Sequence, residues 1–435
     1  MHVPNLNSLS VFGDMDNTGG GTRRKRSVYL EGAQTYYQPH KIKVGPAPNG
    51  PPLPFNKKDN GVVFECLTPI NMLGCAMGIF PIRGSSYGMA QVSLPMIIYS
   101  IFLLLVMSGY IGYIKWDHVE MVKSTEGKFE EAVIDYLFTV YLVPIIILPL
   151  TWYESRNIAS IYCEWSTFER IYLKISGKRL ALFMGNKPLL VTLGLPILSC
   201  AIMVVTHITM AHFRFLQVVP YCYINTITYL VGGMWYLQCN VIGRIATLIA
   251  DDFQQALHHV GPSVRVAEYR SLWMMLSKLT RNLGDSVCYM VTFLCLYLFL
   301  VITLTVYGLL SQIQGGLGIK DVGLTVSAVF ATGLLYFVCD EAHYASNCVR
   351  VYFQKKLLLV ELSWMNDDAQ QEINMFLRAT EMNQTDISLG GFFDVNRNLF
   401  KSLLATMVTY LVVLLQFQIS IPEDTGDYNI TDVLT

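Results

Sequence analysis

Hydrophobic residues gather into seven long windows, each free of Asp, Glu, Lys and Arg over a stretch long enough to cross the hydrocarbon core of a bilayer. The windows are centred on Gly88 to Ile114, Tyr136 to Trp152, Pro188 to Thr206, Leu216 to Ile242, Ser286 to Leu310, Val322 to Val338 and Ser402 to Ile421. Seven membrane-spanning helices are the predicted architecture. The last window carries a polar pattern that lipid alone does not explain. Asn398, Ser402, Thr406, Thr409, Gln416 and Ser420, with Val413 filling the one gap, step by 3 and 4 and share one face of a 3.6-residue helix. Opposite such a stripe stands either another helix or water.

The polar intervals continue several of these helices. After the fourth window, Ile245, Leu248, Ile249, Phe253 and Ala256 extend an apolar stripe to the turn Gly261-Pro262. Tyr269, Leu272, Leu276, Leu279 and Leu283 return by the same spacing, which predicts a projecting hairpin over 243–285. Over 339–398, Tyr344 to Val360 extends the sixth helix. Asn366 or Asp367 caps a helix with Ile373, Phe376 and Leu377 on one face, Gly390-Gly391 break the chain, and Asp394 is placed to cap the last helix. The domain reading is then as follows. Residues 1–64 are a polar, glycine- and proline-broken tail with the basic run Arg23-Arg24-Lys25-Arg26, read as disordered. Residues 65–87 are an amphipathic pre-membrane segment, 88–338 hold helices one to six, 339–398 form anchor helices, 399–421 are the last helix, and 422–435 are a short tail.

Charge gives the helices a direction. The N-terminal segment holds nine Lys and Arg, the second, fourth and sixth connections six, five and five, the first connection three beside five acids, the third and fifth one each, and the C-terminal tail none. The positive-inside rule then places the N-terminus and the anchor in the cytoplasm and the C-terminus outside. This is the reverse of a G-protein-coupled receptor. The topology predicts glycosylation competence at Asn429-Ile430-Thr431 and not at Asn383-Gln384-Thr385.

Composition agrees: 53% of the 435 residues are hydrophobic and 14% charged, against roughly 25% charged in soluble domains. A net charge of −1 excludes nucleic acid as an expected partner. The ten cysteines show no metal-ligand spacing, and no Ser-His-Asp or paired-carboxylate constellation is present. No enzyme, cofactor or metal is expected. With the orientation assigned, Tyr136, Tyr141, His207, Tyr221, Tyr223, Asn225, Thr325 and Phe330 fall at the outer ends of the helices. They form a candidate small-molecule pocket, although tyrosines also anchor helices at membrane interfaces.

The closing Thr409-Tyr410, five apolar residues and Gln416-Phe417 resemble the terminal signature of insect gustatory receptors, as does Thr68-Pro69-Ile70-Asn71-Met72-Leu73-Gly74-Cys75-Ala76-Met77-Gly78-Ile79-Phe80-Pro81-Ile82 before the first helix. Cys339 to Asn347, Val360 to Asn366, Ile373 to Met382 and Gly390 to Arg397 are similar to the carbon dioxide receptor branch of that family. The resemblance implies a tetrameric ligand-gated cation channel in the plasma membrane of sensory-neuron dendrites, working as a heteromer with related subunits and responding to carbon dioxide or bicarbonate. It implies that Ser402, Thr406, Thr409, Tyr410, Val413, Gln416 and Phe417 line or gate the pore. Sugar or bitter gustatory receptors and odorant-receptor-type subunits are the alternatives.

Overall fold

A computed structural model describes residues 61–84, 90–122, 136–210, 215–257, 262–312 and 318–420. The chain divides into two units, Met1–Phe55 and Asn56–Thr435, and the first lies wholly outside the described residues. So do His212, the pair His258-His259, and everything after Ser420.

The second unit is helical. Helix α1 (Val62–Ala76) leads into a small antiparallel hairpin, β1 (Ile82–Gly84) and β2 (Ala90–Val92), before α2 (Leu94–Val122). The first long helix therefore begins at Leu94, later than the hydrophobic window suggests, because Ala90–Val92 pairs as a strand. Residues 136–140 are helical, a 3-10 turn (Val143–Ile146) forms around Pro144, and α3 (Ile147–Ser176) follows. Next come α4 (Lys187–Met210), α5 (Phe215–Ala256), α6 (Pro262–Ser286), α7 (Cys288–Gln312) and α8 (Ile319–Asn347). A π-helical turn (Cys348–Tyr352), the short α9 (Phe353–Leu358) and α10 (Asp367–Met382) complete the 339–382 stretch. The β3 (Ser388–Leu389) and β4 (Phe393–Asp394) hairpin then turns the chain into α11 (Arg397–Ser420).

A helix covers each of the seven expected windows. Six are long and apolar enough to cross a membrane. The remaining window, the fourth in chain order, lies within α5, a 42-residue helix carrying Asn225, Thr226, Thr228, Gln238 and Asn240. All five are buried, because α4, α8 and α1 pack around this helix. A helix walled by protein finds partners for many of its polar groups there: Asn225 donates to the Ser199 carbonyl at 3.0 Å, Thr226 shares a 2.7 Å hydrogen bond with Ser199, and the Trp235 indole donates to the Val338 carbonyl at 3.0 Å, while Gln238 Oε1 and Asn240 Oδ1 are buried without one among the described residues. At the other extreme, only 6% of the apolar window of α2 and 11% of that of α11 is buried.

Beyond the apolar windows the helices continue into a platform. The second connection is helical too: α3 runs to Ser176, burying Ile158, Ile161, Tyr162, Trp165, Phe168 and Tyr172 at helical spacing. The platform centre is an aromatic cluster from four elements. Phe376 of α10 stands 5.2 Å from Phe353, 5.7 Å from Phe253 and 6.0 Å from Trp273, and the Trp273 indole donates to the Val349 carbonyl in the π turn at 2.8 Å. Helix α10 begins on the Asn366 side chain, which accepts from Ala369 N–H at 3.2 Å, and Arg270 pairs with Glu372 at 3.2 Å to join it to α6. Gly390 and Gly391, at φ 57° and 76°, form the tip of the last hairpin in the left-handed region that a two-residue turn requires. Asp394 sits on β4 and does not cap α11. Asn396 does so instead, its side-chain oxygen accepting from Asn398 N–H at 2.9 Å and Leu399 N–H at 3.0 Å, because the strand pairing of Asp394 moves the cap two residues on.

Candidate functional site

Helix α11 rests on α7 and α8 through one narrow face. Leu411 is buried there, and Leu399, Phe400, Leu403 and Met407 are half-buried against the core. The Phe400 ring meets Tyr336 edge-on at 5.4 Å, and Arg397 pairs with Asp340 to fix the first turn to α8. At about 100° per residue, the stripe of Ser402, Thr406, Thr409, Val413 and Gln416 centres about 130° around the helix from this face. All five are exposed. Tyr410 is also exposed, at 57%, but on the flank between the two faces. The side chain of Phe417 lies outside the described residues. The hydroxyls of Thr406 and Thr409 donate to carbonyls of their own helix, Ser402 at 2.8 Å and Ala405 at 3.1 Å. The polar stripe is therefore not the surface by which α11 packs within its own chain.

A second site lies inside the bundle. Tyr141, Ile202, Met203, Asn225, Thr228, Tyr229, Tyr297, Leu298, Val301, Ser327 and Ala331 line a small cavity of about 20 Å³. That is room for a molecule of very few atoms, since one water needs about 10–15 Å³ on the same measure. The lining contains no charged side chain. The Tyr141 hydroxyl is buried without a hydrogen bond of full geometry, with the Ser327 hydroxyl as its polar neighbour in the cavity. It is a donor held ready for a ligand atom or a water.

The eight residues proposed from sequence separate into three groups. Tyr141 and Asn225 line the cavity. His207 and Tyr221 are buried beside it in a ring stack with Phe138, each 4.8 Å to 5.6 Å from its neighbour, and His207 Nδ1 lies 3.1 Å from the Met203 carbonyl. Tyr136, Tyr223, Thr325 and Phe330 lie elsewhere. Tyr136 is 56% exposed, Thr325 is exposed with its hydroxyl on the Asp321 carbonyl, Phe330 is half-buried off the cavity, and Tyr223 donates to the Met77 carbonyl at 2.8 Å. Tyr229, Tyr297, Thr228 and Ser327 are the polar lining residues that the sequence reading missed. A signal for two of them was present: Tyr229 and Tyr297 fall in mid-span, where interfacial anchoring cannot account for a tyrosine. Among the described residues, no group of three His, Cys, Asp or Glu side chains is placed to hold a metal ion.

Comparison with known proteins agrees with this architecture. The family model described as 7tm Chemosensory receptor matches residues 67–421. Gustatory and odorant receptor 24 of Anopheles gambiae is 55% identical over 365 residues, covering 83% of this chain and 80% of that receptor. Gustatory and odorant receptor 21a of Drosophila melanogaster is 30% identical over 384 residues, covering 85% and 83%. The structure of the insect olfactory receptor OR5 from Machilis hrabei in complex with eugenol superposes with a TM-score of 0.57 at 13% identity, over 82% of this chain and 98% of that one. A shared fold at such low identity means that the bundle and platform are set by packing pattern, not by individual residues. The chain belongs to the 7tm chemosensory receptor family, among the insect gustatory and odorant receptors, and is a multi-pass membrane protein.

Proposed function

We propose that the chain is one subunit of a ligand-gated cation channel in the plasma membrane of sensory-neuron dendrites. Several related subunits surround a closed axis, and each contributes α11 to a central pore. The observation that carries this reading is the direction of the polar stripe: Ser402, Thr406, Thr409, Val413 and Gln416 point away from the face that α11 packs on, toward space that neighbouring copies would enclose. The N-terminus and platform are cytoplasmic, so Gln416-Phe417 lie near the outer mouth, with Phe417 a hydrophobic constriction. Ligand enters the cavity around Tyr141 and opens the pore by binding the open state more tightly.

The ligand in this reading is carbon dioxide. The motifs from Cys339 to Arg397 support that branch, and a 20 Å³ cavity without a cationic side chain suits a small neutral molecule better than bicarbonate or a sugar. The test is expression alone and together with sibling subunits, with current recorded under carbon dioxide, bicarbonate and sugar. A carbon dioxide current that requires the siblings is expected. Sugar-evoked current carried by this chain alone overturns the ligand assignment, and glycosylation at Asn383 overturns the orientation.

A further inference from the structure

The segment Thr68 to Ile82 has no role in the channel reading, and its structure supplies one. Helix α1 ends at Ala76, and the chain reverses through Gly78 at φ 77°. The Ile79 and Phe80 N–H groups return to the Gly74 carbonyl, and the Phe80 ring covers Gly74 so closely that a Cβ there would stand 2.3 Å from it. Backbone N–H groups of this turn use the carbonyls of Leu73, Gly74 and Cys75. Among the described residues the next three carbonyls have no such backbone partner in the turn, and each accepts from a side chain of a different long helix. Ala76 accepts from the Tyr99 hydroxyl of α2 at 2.8 Å, Met77 from the Tyr223 hydroxyl of α5 at 2.8 Å, and Gly78 from the Trp152 indole of α3 at 3.4 Å. At its other end, α1 presents the N–H groups of Val62 and Val63 to the Glu169 carboxylate, both at 2.8 Å.

This junction connects parts of the molecule that otherwise touch little. Tyr223 lies on the same turn of α5 as Tyr221, beside the cavity, and Asn225, which lines it. Tyr99 lies on α2, whose apolar window is almost wholly unburied. The Ala76–Tyr99 bond is exposed, whereas the Met77–Tyr223 and Gly78–Trp152 bonds are part-buried, so solvent replaces a lost donor less readily at Met77 and Gly78 than at Ala76.

We propose that the last turn of α1 is a coupling element of channel opening, with Tyr223 and Tyr99 as positioning residues that link the cavity wall to α2. The proposal rests on the channel reading. Its test uses full-length Tyr223→Phe, Tyr99→Phe and the double variant, co-expressed with sibling subunits, with surface amount measured by biotinylation beside the currents. Each single variant keeps its ring. At wild-type surface amount, each shifts the ligand concentration for half-maximal current by about three- to tenfold, the weight of one hydrogen bond. The double variant shifts it by less than the product of the two, since one junction is being broken. Gly78→Ala, which strains the turn without touching the cavity, gives a shift of the same sign. Unchanged responses in both single variants at equal surface amount overturn the proposal, and so do effects that simply multiply. Failure of the channel reading is separate and visible first, because the wild-type chain would then carry no ligand-evoked current.

Discussion

The Glu154 carboxylate on α3 closes the first turn of α7: its two oxygens accept the Tyr289 N–H at 2.7 Å and the Met290 N–H at 3.1 Å. Helix α6 stops at Ser286 and α7 starts at Cys288, so the break between them exposes helix-start N–H groups inside the protein. A side chain from another helix caps them, and that side chain is 1% exposed. Glu154→Ala leaves two buried N–H groups unpaired at about 1–3 kcal/mol each, and Glu154→Gln keeps one acceptor oxygen. Thermal melts of the detergent-solubilised protein should rank wild type, Gln, Ala in falling stability. Equal melts for Ala and wild type would show that water replaces the cap.

The Tyr141 hydroxyl is buried without a hydrogen bond of full geometry, its neighbour Ser327 being imperfectly placed, which is unfavourable in the ligand-free protein. Tyr141→Phe is expected to raise thermal stability slightly, by about 1 kcal/mol, and to weaken the ligand response by roughly five- to tenfold. Paired melts and dose–response curves check this. Loss of stability with an unchanged response would remove Tyr141 from the site.

On α11, cysteines introduced at Thr406, Thr409 and Val413 should react with a water-soluble methanethiosulfonate reagent and reduce the current. A cysteine at the buried Leu411 should not. Burial raises the thiols of Cys66 and Cys75 and keeps them protonated, which limits the background from that region. Modification at Leu411 but not at Thr409 would reverse the assignment of the two faces.

The aromatic cluster of the platform should dominate its stability. Phe376 is fully buried against Phe253, Phe353 and Trp273. Phe376→Ala is expected to cost about 3–5 kcal/mol, and Phe376→Leu distinctly less. Fluorescence-detected size exclusion should show loss of the monodisperse peak for Ala and its retention for Leu.

Arg397 and Asp340 join the start of α11 to α8 at an exposed position, so the pair contributes little to folding. Its replacement should instead alter gating. Asp340→Arg is expected to change basal current at constant surface amount, and the reciprocal exchange with Arg397→Asp should restore it. An exchange that fails to restore the current would mean that the two residues act separately.

Much of the architecture was legible in the chain, because a bilayer admits few solutions. The windows had to be helical, and the Gly390-Gly391 break and the apolar stripe of α10 followed from local rules. The platform part of α3 was not read from the sequence, where 153–187 stood only as a charged connection, although Ile158, Ile161, Trp165, Phe168 and Tyr172 recur at helical spacing. The cavity was much less legible. Tyr136 and Tyr141 look alike in sequence, yet one is 56% exposed and the other 4%. Tyr223 carries the same hydroxyl as its neighbour Tyr221 and spends it on the backbone of α1.

The sequence by itself determined where the seven apolar windows lie, the charge asymmetry between their ends, and the presence of a single polar stripe on the last one. These depend on composition and local period, which are properties of the chain alone. Tertiary structure decided which way each face turns. Helix α7 is apolar on every side, so only its neighbours select Tyr297 for the cavity. Helix α5 is the most polar of the seven windows and the most enclosed, because the protein around it, not lipid, accepts from the amide groups of Asn225 and Asn240. The stripe on α11 acquires its meaning only when Leu411 and Phe400 are seen to occupy the opposite face. A helix cannot state which of its sides is free until something has packed against the other.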